Sequence, residues 1–239
     1  MDNIIFLDTE STGNDTTKDR LCQVCYKKGD VIETEFFKPP LPISIKAMSI
    51  THITNEMVDD KEPFKVSAYY DELKEVLKTH VLIAHNAAFD VALLKAERLE
   101  VPQYICTMKL AQHLDENGEI PEYNQQFLRY YYNLRFDRPI NPHDAESDVI
   151  VLESIYNELK KKFIKKYGEK DMLKKMIEIS TLPTLIKSFA FGKYRGESVD
   201  NIAIRDKGYL EWLLTQKKLK PEGEQDWIYT LEYYLKGKR

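Results

Sequence analysis

The segment Ile4-Ile5-Phe6-Leu7-Asp8-Thr9-Glu10 constrains this chain more than any other. Four consecutive large apolar residues make a strand buried on both faces, as in a sheet covered by helices on either side. The two acids that follow are two positions apart, so both carboxylates project from one face of that strand. Like charges at the end of a buried strand are costly unless a cation or a proton compensates them. The strand is therefore expected to end at an edge of the sheet where a counter-charge can be held.

Further elements follow from the pattern. Residues 21–27 and 31–38 flank Lys28-Gly29-Asp30 and read as a hairpin. Residues 63–79 carry Phe64, Tyr69, Leu73, Val76 and Leu77 at helical spacing, and a second buried strand over 81–84 runs into His85-Asn86. Helices are expected from about Asp90, over 124–134, and from near Asp144 past Lys166. The pattern breaks around Gly168 and again over 181–184. After that come a Gly-flanked hairpin over 189–196 and helices near 207–215 and 222–235. Strands first, then strands alternating with helices, give an α/β domain with a mixed sheet. A small C-terminal unit of a hairpin plus helices follows it.

Composition narrows the function. With 43% hydrophobic and 31% charged residues the chain supports a sizeable core, and a formal net charge of −4 excludes coating nucleic acid by bulk positive charge. The charge is divided: residues 1–150 hold 16 Lys and Arg against 26 Asp and Glu, and residues 151–239 hold 19 against 13. The split suggests an acidic, cation-binding half and a basic, polyanion-binding half; evenly spread surface charge is the plainer alternative. No apolar run approaches the roughly 18 residues of a membrane span, and the N-terminus does not read as a signal peptide. Cys22, Cys25 and Cys106 fit a reducing cytoplasm, and Cys22-x-x-Cys25 lacks the second Cys/His pair of a zinc ribbon.

Two further acids join Asp8 and Glu10. Asp90 follows the second buried strand, where an isolated acid would be a helix cap. Asp148 lies in the long helix on the side carrying Val151, Leu152 and Ile155, so it points inward. Four such carboxylates make the hard-oxygen environment that suits Mg²⁺ or Mn²⁺. Two such ions about 4 Å apart activate a water and stabilise a leaving oxygen in phosphoryl displacement. His143, five residues before Asp148 on the edge of the helix, is the candidate base for that water; alone it would read as an exposed loop residue.

Asp8-Thr9-Glu10-Ser11-Thr12-Gly13, His85-Asn86-Ala87-Ala88-Phe89-Asp90 and His143-x4-Asp148 resemble, in order and context, the three motifs of the DEDDh exonuclease superfamily. The sister DEDDy group has a Tyr four residues before the last Asp, where this chain has Asp144. Over nearly the whole chain the sequence is similar to the bacterial exodeoxyribonuclease X family, through segments 45–61, 105–111 and the C-terminal FGKYRG and RDKGYLEWLL. Where many relatives read His-Gly-Ile-Thr, this chain has Thr51-His52-Ile53-Thr54. Asn14 stands where relatives often have an apolar residue.

The resemblance implies an RNase H-like mixed sheet flanked by helices, with an exonuclease domain over 1–180 and an accessory domain over 184–239. It implies Asp8, Glu10, Asp90 and Asp148 as ligands of two Mg²⁺ or Mn²⁺ ions, with His143 and Glu10 catalytic. Thr9, Gly13, Asn86 and Phe89 become candidate substrate contacts, although Gly13 also suits a simple turn and Phe89 also suits the core. Lys193-Tyr194-Arg195 sets an aromatic between two cations and joins them, with a self-contained packing module as the alternative. The expected activity is removal of 5′-mononucleotides from DNA 3′ ends, single-stranded or frayed, in DNA repair and without a membrane partner. An exoribonuclease acting on RNA, or a nonenzymatic nucleic-acid or polymerase-binding module, is the rival expectation.

Overall fold

In the computed structural model, which describes residues 3–221 and 223–236, the buried apolar strand is the middle of a five-stranded sheet. The strands are β1 (Ile4–Ser11), β2 (Leu21–Lys28), β3 (Val31–Phe36), β4 (Val81–Ala84) and β5 (Tyr104–Cys106), in the spatial order β3-β2-β1-β4-β5. The β1–β2 and β2–β3 pairs are antiparallel, whereas β1–β4 and β4–β5 are parallel. The helices are α1 (Ile45–Thr51), α2 (Asn55–Val58), α3 (Ala68–Thr79), α4 (Ala88–Ala96), α5 (Thr107–Leu114), α6 (Gln125–Tyr131), α7 (Ala145–Tyr167) and α8 (Met172–Thr181). After them come α9 (Val199–Arg205), α10 (Lys207–Leu219) and α11 (Gln225–Lys236). The mixed sheet flanked by helices is the architecture expected from the sequence.

The alternation along β1 sorts its side chains between two cores. Ile5 and Leu7 pack with Leu73 and Leu77 of α3 and Val91 and Leu94 of α4, while Phe6 packs with Val149, Leu152 and Tyr156 of α7. Continuing that parity, Thr9 falls on the α4 face and Asp8 and Glu10 on the α7 face. β4 pairs with β1 only from Ile4 to Phe6, so β1 outruns its parallel neighbour and Asp8 to Ser11 project beyond it. This is the crevice at the carboxyl ends of parallel strands where α/β proteins place their sites.

Several boundaries differ from the sequence reading for local reasons. The helical spacing over 63–79 is divided, because Ser67 is extended and its side chain accepts from the Tyr70 N–H. That cap starts α3 and leaves Phe64–Val66 as a separate 3₁₀ turn. The 189–196 hairpin reduces to a single antiparallel bridge, Ser188 to Ser198, with the 3₁₀ turn Gly192–Tyr194 at its tip. Glu222, the expected start of the last helix, lies outside the described residues, as do Met1 and Asp2. Five short helices, α1, α2, α5, α8 and α9, carry no element expectation from the sequence. Helix α1 ends at His52, whose φ of 60° is left-handed and whose N–H donates to the Met48 carbonyl. That is where the relatives' His-Gly-Ile-Thr has its glycine, the residue that adopts this conformation most easily.

The C-terminal helices enclose a cluster of their own: Phe189, Val199, Ile202, Leu210, Leu213 and Leu231. Polar ties join it to the rest. Asp226 accepts from Lys109 Nζ (3.2 Å) and from the Thr184 N–H (2.8 Å), and Lys187 donates to the Asp115 carbonyl. Helix α8 is locked to the sheet by buried Ser180, whose Oγ accepts from the Cys106 N–H at 2.8 Å and donates to the Met176 carbonyl at 2.7 Å. Replacing it orphans a buried strand N–H, so Ser180→Ala should cost about 1–3 kcal/mol in urea unfolding. A midpoint unchanged from the parent would contradict this role.

Candidate active site

The acids on β1 meet Asp148 from the first turn of α7 and Asp90 from the first turn of α4. Donor atoms of Glu10, His143 and Asp148 all lie within 4.8 Å of one another. Asp8 feels the charges of Asp90, Glu10 and Asp148, which places it beside them.

Two of the acids, Asp90 and Asp148, are held by specific donors. Thr9, on the opposite face of β1 from Asp8, donates to Asp90 Oδ1 at 2.7 Å, so one strand supplies two of the acids and the clamp on a third. Asp90 opens α4 but does not cap it, since Ala87 occupies the cap position with no side-chain bond. Asp148 Oδ1 accepts from Gln125 (3.0 Å) and Gln126 (3.2 Å), and its Oδ2 accepts from the His143 N–H at 2.8 Å. His143 adopts φ 63°, a strained conformation for a non-glycine residue that this bond helps to hold. Its side chain is exposed, as a group meeting solvent must be.

Burial raises the pKa of every acid here, and repulsion from the neighbouring acids adds to it for Asp8 and Glu10. Burial, then Asp90, Glu10 and Asp148, push Asp8 well above the carboxylate range. Burial and the charges of Asp148, Asp90 and Asp144 push Glu10 to about 9. Asp90 rises to about 7 through burial, against hydrogen bonds from Thr9 and from backbone N–H groups that pull it down. Asp148 is raised by burial against the His143 N–H and side chain. Such a donor set, mostly carboxylate oxygen and electrostatically unhappy when ionised, fits a divalent cation: the ion stabilises the charged forms and displaces their protons.

The sequence reading missed four participants. Asp144 caps α7 and adds negative potential, while Gln23 reaches from β2 to it (3.4 Å). Gln125 and Gln126 lie 23 and 22 residues from Asp148, and amides at a helix start carry no signal for that partnership.

Other expected contacts are distributed. Gly13 has a structural reason to lack a side chain, since a Cβ there would sit 2.5 Å from the Asp19 carboxylate, which binds Thr12 Oγ1. Phe89 is half-buried against the α3/α4 core, whereas Asn86 is exposed at φ 56°. Lys193 and Tyr194 are not at the acids but engage Asp206 within the C-terminal unit; Arg195 approaches Glu122 at 3.7 Å. Cys22 and Cys25 are buried free thiols that burial pushes to about 12, and His85, buried between Thr107 and the Tyr123 carbonyl, is pushed down to about 4. These three residues are structural.

Residues 5–156 match the exonuclease family RNase_T, and residues 189–218 match the exodeoxyribonuclease X-like C-terminal family. Exodeoxyribonuclease 10 of Escherichia coli strain K12 is 30% identical over 237 residues, which are 97% of this chain and 98% of the relative. A structure of exonuclease X in complex with 5′ overhanging duplex DNA aligns with a TM-score of 0.58 at 25% identity, over 74% of this chain and 99% of its own. Exonuclease I, at 16% identity and a TM-score of 0.56 over 72% of this chain and 42% of its own, shares the fold.

The raised pKa values fix a pH dependence. Acids with folded pKa values above their unfolded ones stabilise below the ordinary carboxylate range, and that contribution is lost as pH rises through Asp90 near 7 and Glu10 near 9. In EDTA the melting temperature should therefore fall steadily between about pH 5 and 9, and Mg²⁺ or Mn²⁺ should recover several degrees at the alkaline end. A flat profile with no response to either ion would refute this balance.

Proposed function

The chain belongs to the exonuclease family matched by residues 5–156, and on that premise we propose that it is a metal-dependent 3′→5′ exodeoxyribonuclease releasing 5′-mononucleotides in DNA repair. The observation that carries this reading is the convergence of Glu10, His143 and Asp148 within 4.8 Å beside Asp8 and Asp90. The same reading divides the chain into an exonuclease domain over 1–180 and an accessory domain over 184–239. The relatives' names, an exodeoxyribonuclease and an exonuclease X with DNA, support DNA as the substrate.

Two Mg²⁺ or Mn²⁺ ions held by Asp8, Glu10, Asp90 and Asp148 would supply Lewis acidity toward the scissile phosphate and the attacking water. The protein's own part is positional. Thr9 fixes Asp90, while Gln125, Gln126 and the His143 N–H hold both oxygens of Asp148. His143, on an exposed turn next to the acids, takes the proton from the attacking water, the task for which imidazole is suited at neutral pH. The phosphorus–oxygen bond to the departing strand then breaks, leaving the phosphate on the released nucleotide. Thr9, Gly13, Asn86 and Phe89 flank this centre and are assigned to the terminal nucleotide.

The test is a 5′-labelled single-stranded DNA incubated with protein and Mg²⁺. The expected ladder shortens one nucleotide at a time from the 3′ end, and His143→Ala should slow it about 10²–10⁴-fold. Mononucleotides released first from the 5′ end, or full activity in His143→Ala, would overturn the reading. A matched RNA oligomer consumed faster than DNA would assign the chain as an exoribonuclease.

A further inference from the structure

A cleft of about 630 Å³ separates the exonuclease domain from the C-terminal unit. Its size lies in the range that accepts a nucleotide-sized ligand. One wall is continuous with the catalytic centre. Asn86 stands four residues before Asp90, and Asn124 caps α6, whose next two residues hold Asp148. The opposite wall is aromatic: Trp227, half-buried, is stacked on Phe189 with ring centroids 5.2 Å apart and planes 27° from parallel.

Two polar features at the cleft point to what it takes. Gln112 lines it, and its Oε1, buried and without a hydrogen-bond partner, meets an N–H donor in the cleft once the amide turns toward it. Arg195 lines it with a side chain 73% exposed, tied only loosely to Glu122 at 3.7 Å, so a phosphate can claim it. An aromatic wall, an unmet acceptor and an available guanidinium together match an unpaired nucleobase with its phosphate. By contrast, Lys193 and Tyr194 are committed to Asp206 and do not line the cleft.

We propose that this cleft holds one or two unpaired nucleotides of the substrate strand beside the catalytic centre, with Trp227 against a base, Gln112 accepting from its edge and Arg195 on a phosphate. The inference rests on the nuclease reading above and assigns the C-terminal unit the second wall of the strand's path. A strand long enough to enter the cleft gains contacts that a free mononucleotide lacks.

The chain has two tryptophans, so Trp212→Phe, at an exposed position, leaves Trp227 as the sole indole reporter in the full-length protein. In EDTA, thymidylate hexamer should quench Trp227 fluorescence, and 5′-thymidine monophosphate should do so at least about 10-fold more weakly. Arg195→Ala and Gln112→Leu, each added to that background, should weaken hexamer binding about 5- to 50-fold with the near-ultraviolet dichroism unchanged. Equal affinity for the monophosphate and the hexamer would make the cleft a product site and overturn the strand assignment. Absent quenching, or quenching untouched by both variants, would overturn it as well, while Mg²⁺-dependent shortening of the same hexamer would leave the nuclease reading standing. If the hexamer is neither bound nor shortened, both readings fall.

Discussion

Repulsion among carboxylates at the end of β1 organises this molecule. Asp8, Glu10, Asp90 and Asp148 are each raised in pKa by burial, and like charges close by add to this for Asp8 and Glu10. A stable core would not bring them together without something to hold them apart or to neutralise them. The surrounding structure supplies the first: Thr9 on Asp90, two glutamines and a backbone N–H on Asp148. A divalent cation, as proposed for this site, would supply the second, offsetting the electrostatic cost that the clustered acids store.

The sheet makes that placement inevitable once β1 is built. Because β1 continues past the end of its parallel neighbour β4, its last residues face a crevice on that side while β2 pairs them on the other. Its alternation then divides labour by face, Asp8 and Glu10 toward α7 and the threonine clamp toward α4. The cleft against the C-terminal unit is lined by Asn86 and Asn124, neighbours in sequence of Asp90 and of the glutamines that hold Asp148. The charge asymmetry between the two halves of the chain acquires a partial explanation from this. Some of the N-terminal acid is committed to the centre, while several C-terminal cations are spent on internal pairs, such as Lys193 with Asp206 and Lys218 with Glu232.

Legibility differed by residue. The apolar run and the acids at β1 were readable because burial and period-two alternation act within a few positions. Lys193-Tyr194-Arg195 read as a single tip with two cations around a ring, yet Asp206, 12 residues beyond Tyr194, draws the lysine and tyrosine inward and leaves the arginine facing the cleft. Gly13 reads as suited to a nucleotide's approach, and the Asp19 carboxylate, 2.5 Å from where a Cβ would sit, is a second reason for glycine there that only the folded chain supplies. The short helices α1 and α2 escaped because each is stabilised by a cap and by contact with Cys22 on β2, not by a periodic stripe of its own.

The amino-acid sequence by itself determined the strand that ends in acids, the helices that carry Asp90 and Asp148, and the motif order that marks an exonuclease. These depend on side-chain period, burial and local caps, all written within a few residues. Only the tertiary structure decided which donors hold each carboxylate, that Arg195 parts company with Lys193 and Tyr194, and that a cleft opens beside the acids. Those outcomes depend on residues brought together from as far apart as Thr9 and Asp90, or Asn86 and Trp227, and no local pattern encodes a partner that folding alone supplies.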